Sequence, residues 1–377
     1  MRLRRALIAL LAPASALILA VLVSSIAVLL IHQSPLTAFK DMAQFGVRTD
    51  SLIFAANEAI PLFVSGLAVA IGFKMGLFNI GVEGQYTLAA LLAAYVGAVT
   101  PVPGFLRIIL ILLVAMTVGA AWASVAGILK VTRGVHEVIS TIMLNFIAFG
   151  FTSYLLAHLL KQQNRPGDFV VKTKEIPSSG LIPSLNGLLR GLGVHPPAGS
   201  DLYGFLPLAL ALGIVYYVLI WRTRFGFDLR ASGFNPNASR VSGVDPRSMV
   251  LKVMILSGAV AGLVGMPDLF GLYHRYTIDF VAGLGFTGIA VALVGRNHPV
   301  GIALAAFLFG FLDRSAQVLD LVGIPKEITI IMRGVIILCV VIAYEVVRRV
   351  VQAQEVKAAA ERMRQLSEEG QTEPVPA

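Results

Sequence analysis

The chain has 377 residues, 57% of them hydrophobic and 14% charged, with a mean hydropathy of +0.82 and a formal net charge of +9. A soluble domain carries about 25% charged residues; this composition, with apolar runs of membrane length recurring from end to end, excludes that class and describes a polytopic membrane protein. The basic excess reads as positive-inside anchoring and not as a nucleic-acid surface.

The chain opens on a basic Met1–Arg5 and an apolar run from Ala6 to Ile31. That run outlasts the ~7–15-residue core of a signal peptide, so it is read as a retained first span with its N-terminus in the cytoplasm. His32–Ser51 is a short polar loop. Leu52–Gly72 is the second span, interrupted by Asn57, Glu58 and Pro61, and the third runs on to Val99. Phe105–Leu129 and Val135–Leu160 are the fourth and fifth, separated by the basic Lys130–Gly134. A long polar loop, 161–201, leads to the sixth span, Leu202–Trp221. The 222–248 segment is the densest basic stretch. Met249–Leu272 follows as the seventh span, then the short apolar piece Gly283–Gly295, then Val300–Leu319 and Ile328–Val347 as the ninth and tenth. Residues 1–347 thus read as one transmembrane domain and 348–377 as a charged cytoplasmic tail. Alternation from an internal N-terminus puts the basic loops and both termini inside and the 161–201 loop outside. Gly134–Met143 resembles Gly323–Met332, and the two open spans of opposite direction five spans apart, the pattern of an inverted 5+5 repeat.

Between the second and third spans stands Gly76-Leu-Phe-Asn-Ile-Gly-Val-Glu-Gly-Gln85. Polar groups at membrane depth are costly unless protein or water covers them. Asn79 and Glu83, four residues apart, share a helix face. Glu83 is either a path-lining carboxylate or a buried one that holds the backbone of a broken helix. Asn57 and Glu58 leave the same two readings open, and Ser140, Thr141 and Asn145 point first to interhelical hydrogen bonds. Gly283–Gly288 fits GxGxxG literally, but a dinucleotide site needs a strand before it. In apolar surroundings the glycines imply close helix packing or a broken helix. No GxxxxGK[ST] or GxSxG occurs. Cys339 is the sole cysteine, so an internal disulfide is excluded and a cysteine metal site is not expected. The 223–245 loop interleaves Phe225, Phe227 and Leu229 with Arg230 and Gly233, and ends in a short helical piece around Asn237–Val241. A topogenic loop needs only basic residues; this one reads as a docking surface.

These blocks resemble the permease subunits of bacterial ATP-binding-cassette (ABC) importers, in the branch shared by branched-chain amino acid, ribose and nucleoside systems. The Gly76–Gln85 block, Val135–Asn145, the Phe225–Gly243 loop and Phe286–Pro299 all carry the resemblance, which spans nearly the whole chain. The last block is similar to the nucleoside and simple-sugar branch. The resemblance implies an all-α polytopic fold of about ten spans and uptake of nucleosides, with a simple sugar or a branched-chain amino acid as alternatives; an ion-coupled carrier is the rival class. It implies no catalysis and no cofactor in this chain, with ATP and Mg bound by a separate cytoplasmic ATPase. It further implies a second, non-identical permease chain, an extracytoplasmic substrate-binding protein, lipid-anchored or periplasmic, and the lipid of the inner membrane as partners. The ATPase-coupling residues would be Phe225, Phe227, Arg230, Gly233, Asn235, Asn237, Arg240 and Gly243. The expected substrate path draws on Asn57, Glu58, Phe78, Asn79, Glu83, Gln85, Tyr86, Ser140 and Asn145. Within it, Gly76–Gln85 becomes the break in a helix, and Glu83 a structural group at the rim.

Overall fold

The computed structural model describes residues 18–162 and 170–321, except 20 and 27, and scattered positions from 324 to 349. Among the described residues the fold is all-helical; the only bridge between extended segments pairs Lys172 with Thr277. The chain divides into two compact units, residues 41–318 and the set formed by 1–40 with 319–377. In the second set, helical residues between 18 and 30 end in a turn at His32, and the buried Cys339 belongs to it. The repeat partner Gly323–Met332, the tenth span and the tail after Arg348 lie almost wholly outside the described residues.

In chain order the helices are α1 (Pro35–Gly46), α2 (Thr49–Phe73), α3 (Val82–Val99), α4 (Gly104–Arg133) and α5 (Glu137–Leu155, prolonged by a π-helical turn to Leu160). After the long loop, which carries the short α6 (Asn186–Gly191), come α7 (Leu206–Arg222), α8 (Arg224–Phe234), α9 (Pro236–Val241) and α10 (Pro246–Gly262). α11 (Met266–Asp268) runs into a π-helical turn, Leu269–Tyr273, and α12 (Leu284–Val294) and α13 (Pro299–Leu321) complete the set.

Six of these helices are long and apolar enough to cross a membrane, or eight if each of two bent pairs counts as one span. The sequence reading counted ten; its tenth span and much of its first lie outside the described residues, so that count is not tested by these helices. α7 is cut at Thr223 and bends by 67° into α8. The eleven residues of α12, at ~1.5 Å rise each, fall well short of the ~30 Å hydrocarbon core. The expected interruption of the second span at Asn57 and Pro61 does not occur either: α2 is continuous from Thr49 to Phe73 with Pro61 inside it. Pro61 removes one N–H and frees one carbonyl, and the packing around the helix carries the chain through.

α2 and α3 lie at the centre, with 72% of their most apolar stretch buried, against 22% in α4. A helix apolar on all sides belongs in a core, whereas α4 and α5 turn Phe105, Leu113, Met143, Phe146 and Phe151 outward, as lipid-facing helices do. α4 meets α10 backbone to backbone. A Cβ on Gly258 would strike the Gly119 carbonyl, and one on Gly262 the Ala115 carbonyl. Gly258-x-x-x-Gly262 is the small-residue spacing that lets membrane helices approach this closely.

The long loop is an ordered cover where it is described. Arg107 on α4 donates to Ser179 Oγ (3.3 Å) and to the Thr100 carbonyl (3.1 Å). Thr173 N–H donates to the Tyr276 carbonyl (2.9 Å), and Thr173 Oγ1 accepts from Tyr276 N–H (3.0 Å). Asn57 on α2 donates to the Asp201 carbonyl (2.7 Å) and accepts from Tyr203 N–H (2.9 Å).

Candidate functional site: a helix break between two apolar spans

α2 ends at Phe73, and α3 begins at Val82. Between them Gly76 takes φ +73°, a left-handed conformation that glycine adopts without strain. The freed backbone groups need partners, since a buried one left unpaired is costly. Side chains supply them.

Asn79 is the hub. Its Oδ1 accepts from Gly81 N–H (3.1 Å) and Gln85 Nε2 (3.0 Å), and its Nδ2 donates to Gln85 Oε1 (3.1 Å) and Ser257 Oγ (2.9 Å). Ser257 on α10 donates in turn to the Ala68 carbonyl of α2 (2.7 Å). An amide has at most four such bonds to make, and Asn79 makes all of them. Asn145 on α5 does similar work one turn further on, accepting from Gly84 N–H (2.9 Å) and donating to the Ile80 carbonyl (3.0 Å).

Glu83 reaches across to α12. Its Oε1 accepts from Gly283 N–H (2.5 Å) and from the Tyr86 hydroxyl (2.9 Å); its Oε2 accepts from Gly285 N–H (2.7 Å). Gly283 stands at φ +89° as the N-cap of α12. A carboxylate there meets the unpaired N–H groups and the positive end of the helix dipole. The GxGxxG glycines are thereby explained: Gly283 makes the turn, Gly285 packs on the Glu83 backbone and Gly288 on Ser65, with no room for a Cβ. Ser65 Oγ donates to the Leu284 carbonyl (2.9 Å).

The expected path residues therefore divide. Asn79, Glu83, Gln85, Tyr86, Ser140 and Asn145 are all buried. Their hydrogen bonds tie α2, α3, α5, α10 and α12 together; Ser140 itself donates to the Glu137 carbonyl (3.1 Å). Phe78 is half-buried, and its N–H points to Glu137 Oε1 (3.4 Å), whose other oxygen holds Lys130 (2.5 Å). Asn57 and Glu58 lie elsewhere, near the long loop.

The expected coupling residues occupy α8 and α9. Thr223 caps α8 by accepting from Gly226 N–H (3.1 Å), Asn235 caps α9 by accepting from Asn237 and Ala238 N–H (both 3.0 Å), and Asp245 caps α10. Such caps stabilise a helix start by about 1 kcal/mol. Gly243 follows α9 at φ +83°. Phe225 and Arg230 are half-buried, whereas Phe227, Asn237 and Arg240 are exposed, and Phe234 and Val241 are 93% and 92% exposed. Gly233 abuts the Met75 backbone, where a Cβ would sit 2.7 Å from three of its atoms. Burial lowers the pKa of the adjoining Lys74, the nearby Arg230 charge adds to it, and Lys74 Nζ lies 4.9 Å from the Trp221 ring centre. α8 thus rests directly on the first turn of the break.

Sequence reasoning missed Ser65, Ser257, Lys74 and Asp268. The serines gave no signal, being small residues in apolar runs. Asp268, an acid inside an apolar run, did carry one.

The model of the family described as branched-chain amino acid transport system / permease component matches residues 51–341. The guanosine ABC transporter permease protein NupP of Bacillus subtilis is 37% identical to this chain, over 77% of it and 80% of NupP. The glucose ABC transporter permease protein TsgB13 of Haloferax volcanii is 32% identical, over 86% of this chain and 85% of its own. The nucleoside ABC transporter permease protein NupB of Lactococcus lactis is 29% identical, over 93% and 95%.

Proposed function

This chain belongs to the branched-chain amino acid transport system permease family, membrane-spanning subunits of ABC importers that are not themselves catalysts, and we propose that the solute it passes is a nucleoside. The likeness to NupP and NupB over most of their length supports that reading. The likeness to TsgB13 supports a second, uptake of a simple sugar by the same machinery.

In this reading 222–248 is the cytoplasmic coupling segment, the 161–201 loop faces outward, and the chain lies in the inner membrane with both termini inside. The exposed Phe234, Asn237, Arg240 and Val241 meet a cytoplasmic ATPase that holds the ATP and Mg. A second, non-identical permease chain completes the path, and a binding lipoprotein delivers the solute. ATPase closure presses α8 through Gly233 onto Met75. Because Asn79 and Glu83 lock the break to α10 and α12, the push moves those helices together, a rocking of rigid bundles.

The test is uptake of labelled adenosine and glucose into proteoliposomes holding both permeases and the ATPase, with loaded receptor outside. ATP-dependent adenosine uptake that stops without receptor is expected. Uptake indifferent to ATP and driven by an ion gradient would overturn the importer reading. ATP-driven glucose uptake without adenosine uptake would overturn the nucleoside reading alone.

A further inference from the structure

Apart from the break, a buried acid lies inside the apolar span Pro246–Tyr273. Asp268 ends α11 and is only 5% exposed, and its Oδ2 has no hydrogen-bond partner. A buried polar atom left unpaired costs about 1–3 kcal/mol, and such groups inside membrane segments mark pathways. The chain leaves the α-helical ladder right after Asp268, in the π-helical turn Leu269–Tyr273; π-turns gather at functional sites.

Asp268 packs beside α2 and lies shortly before Gly271 in the chain. Gly271, in the π-turn, leaves the space that the Tyr203 ring fills, since a Cβ there would sit 2.5 Å from the ring. Tyr203 is held in place by Asn57, whose neighbour Glu58 is half-buried on α2. Tyr203 packs on Gly271, which lies between Asp268 and Tyr273 in the chain, and Asn57 holds it beside Glu58, while α11 packs on α2, so the four groups gather on one side of α2. Tyr203, Tyr273 and Glu58 are each partly exposed, while Asp268 is not. The surroundings are aromatic: Tyr273 lies 5.1 Å from Phe280, which stacks on Tyr276 at 4.9 Å.

We propose that Asp268, with Glu58, Tyr203 and Tyr273, is a solute-binding station that reads a vicinal diol, the ribose of a nucleoside or the equivalent face of a sugar. A carboxylate oxygen with no protein donor is matched by a hydroxyl donor, and two adjacent hydroxyls suit one carboxylate, as an acidic residue meets the ribose in dinucleotide folds. The phenols accept and donate around it, and the aromatic rings offer a face for a base or a sugar ring. The station rests on the importer reading above and supplies what that reading lacks, a point in the chain that touches cargo.

The test compares turnover of adenosine, its deoxy form and its dideoxy form, each presented on saturated receptor to the reconstituted importer. A site built to bond a hydroxyl rejects analogues lacking it, so a preference of ten-fold or more for adenosine over the dideoxy form is expected, with Asp268→Asn reducing it to within two-fold. Tyr203→Phe, which keeps the ring against Gly271, is the second variant and is expected to cut the preference at least three-fold. Equal loss on all three nucleosides, or an unchanged preference in both variants, would overturn the station, as would a sodium requirement that Asp268→Asn abolishes. Wild-type uptake that needs no ATP would instead defeat the importer reading and leave the preference ratio as a separate result.

Discussion

Glu83 and Asp268 are both acids buried inside membrane-length helices, and they are treated in opposite ways. Each oxygen of Glu83 is held by backbone N–H groups at the start of α12, with Tyr86 added on one side. Asp268 Oδ2 has nothing. The contrast separates a group that holds the fold from one that waits for a partner. Burial and charge type alone do not distinguish them; only the accounting of donors does. An unsatisfied acid is a stability cost retained where function needs it.

The sharpest way to break this comparison is to remove Glu83. Glu83→Ala leaves two buried N–H groups at the α12 start unpaired, and each such loss costs about 1–3 kcal/mol. A loss of about 3 kcal/mol or more is expected, read as a large fall in unfolding temperature of the detergent-purified protein. Asn145→Ala strips Gly84 N–H and the Ile80 carbonyl of their partners and should cost about 2 kcal/mol by the same reasoning. It should lower thermal stability without altering the preference among nucleosides. Asp268→Asn is expected to cost nothing or to stabilise by up to about 1 kcal/mol, because it removes an uncompensated buried acid. A clear loss of stability there would mean that Asp268 is a structural acid like Glu83. The smallest effect on folding is expected on α9. Val241→Asp, on the exposed surface of α9, should shift stability by no more than about 0.5 kcal/mol. Co-purification of the ATPase with the permease should nevertheless fall sharply; unchanged co-purification would remove α9 from the docking surface.

Much of this was legible in the sequence. Three glycines with Asn79, Glu83 and Gln85 between two apolar runs announce a break, and the literal GxGxxG in apolar surroundings announces packing glycines. The 223–245 segment stood out by apolar and small residues that topology does not require, and its docking role is part of the proposal above. What stayed hidden depends on the third dimension. Glu83 and Gly283 are two hundred residues apart, and nothing local to either names the other. Pro61 suggested an interruption that surrounding packing overrides. Hydropathy reports apolar content and not direction, so the bend after α7 and the short reach of α12 were not legible in it. Asp268 was visible as an acid in an apolar run, but its missing donor is a property of the folded neighbourhood.

The most direct measurement pairs the two acids in one experiment. Glu83→Gln and Asp268→Asn are reconstituted with the same partners, and unfolding temperature and the adenosine-to-dideoxyadenosine turnover ratio are measured for each. The account predicts a lowered unfolding temperature with the ratio intact for Glu83→Gln, and an unlowered temperature with the ratio collapsed for Asp268→Asn. The reverse pattern, with Glu83 moving the ratio and Asp268 moving only the unfolding temperature, would contradict it.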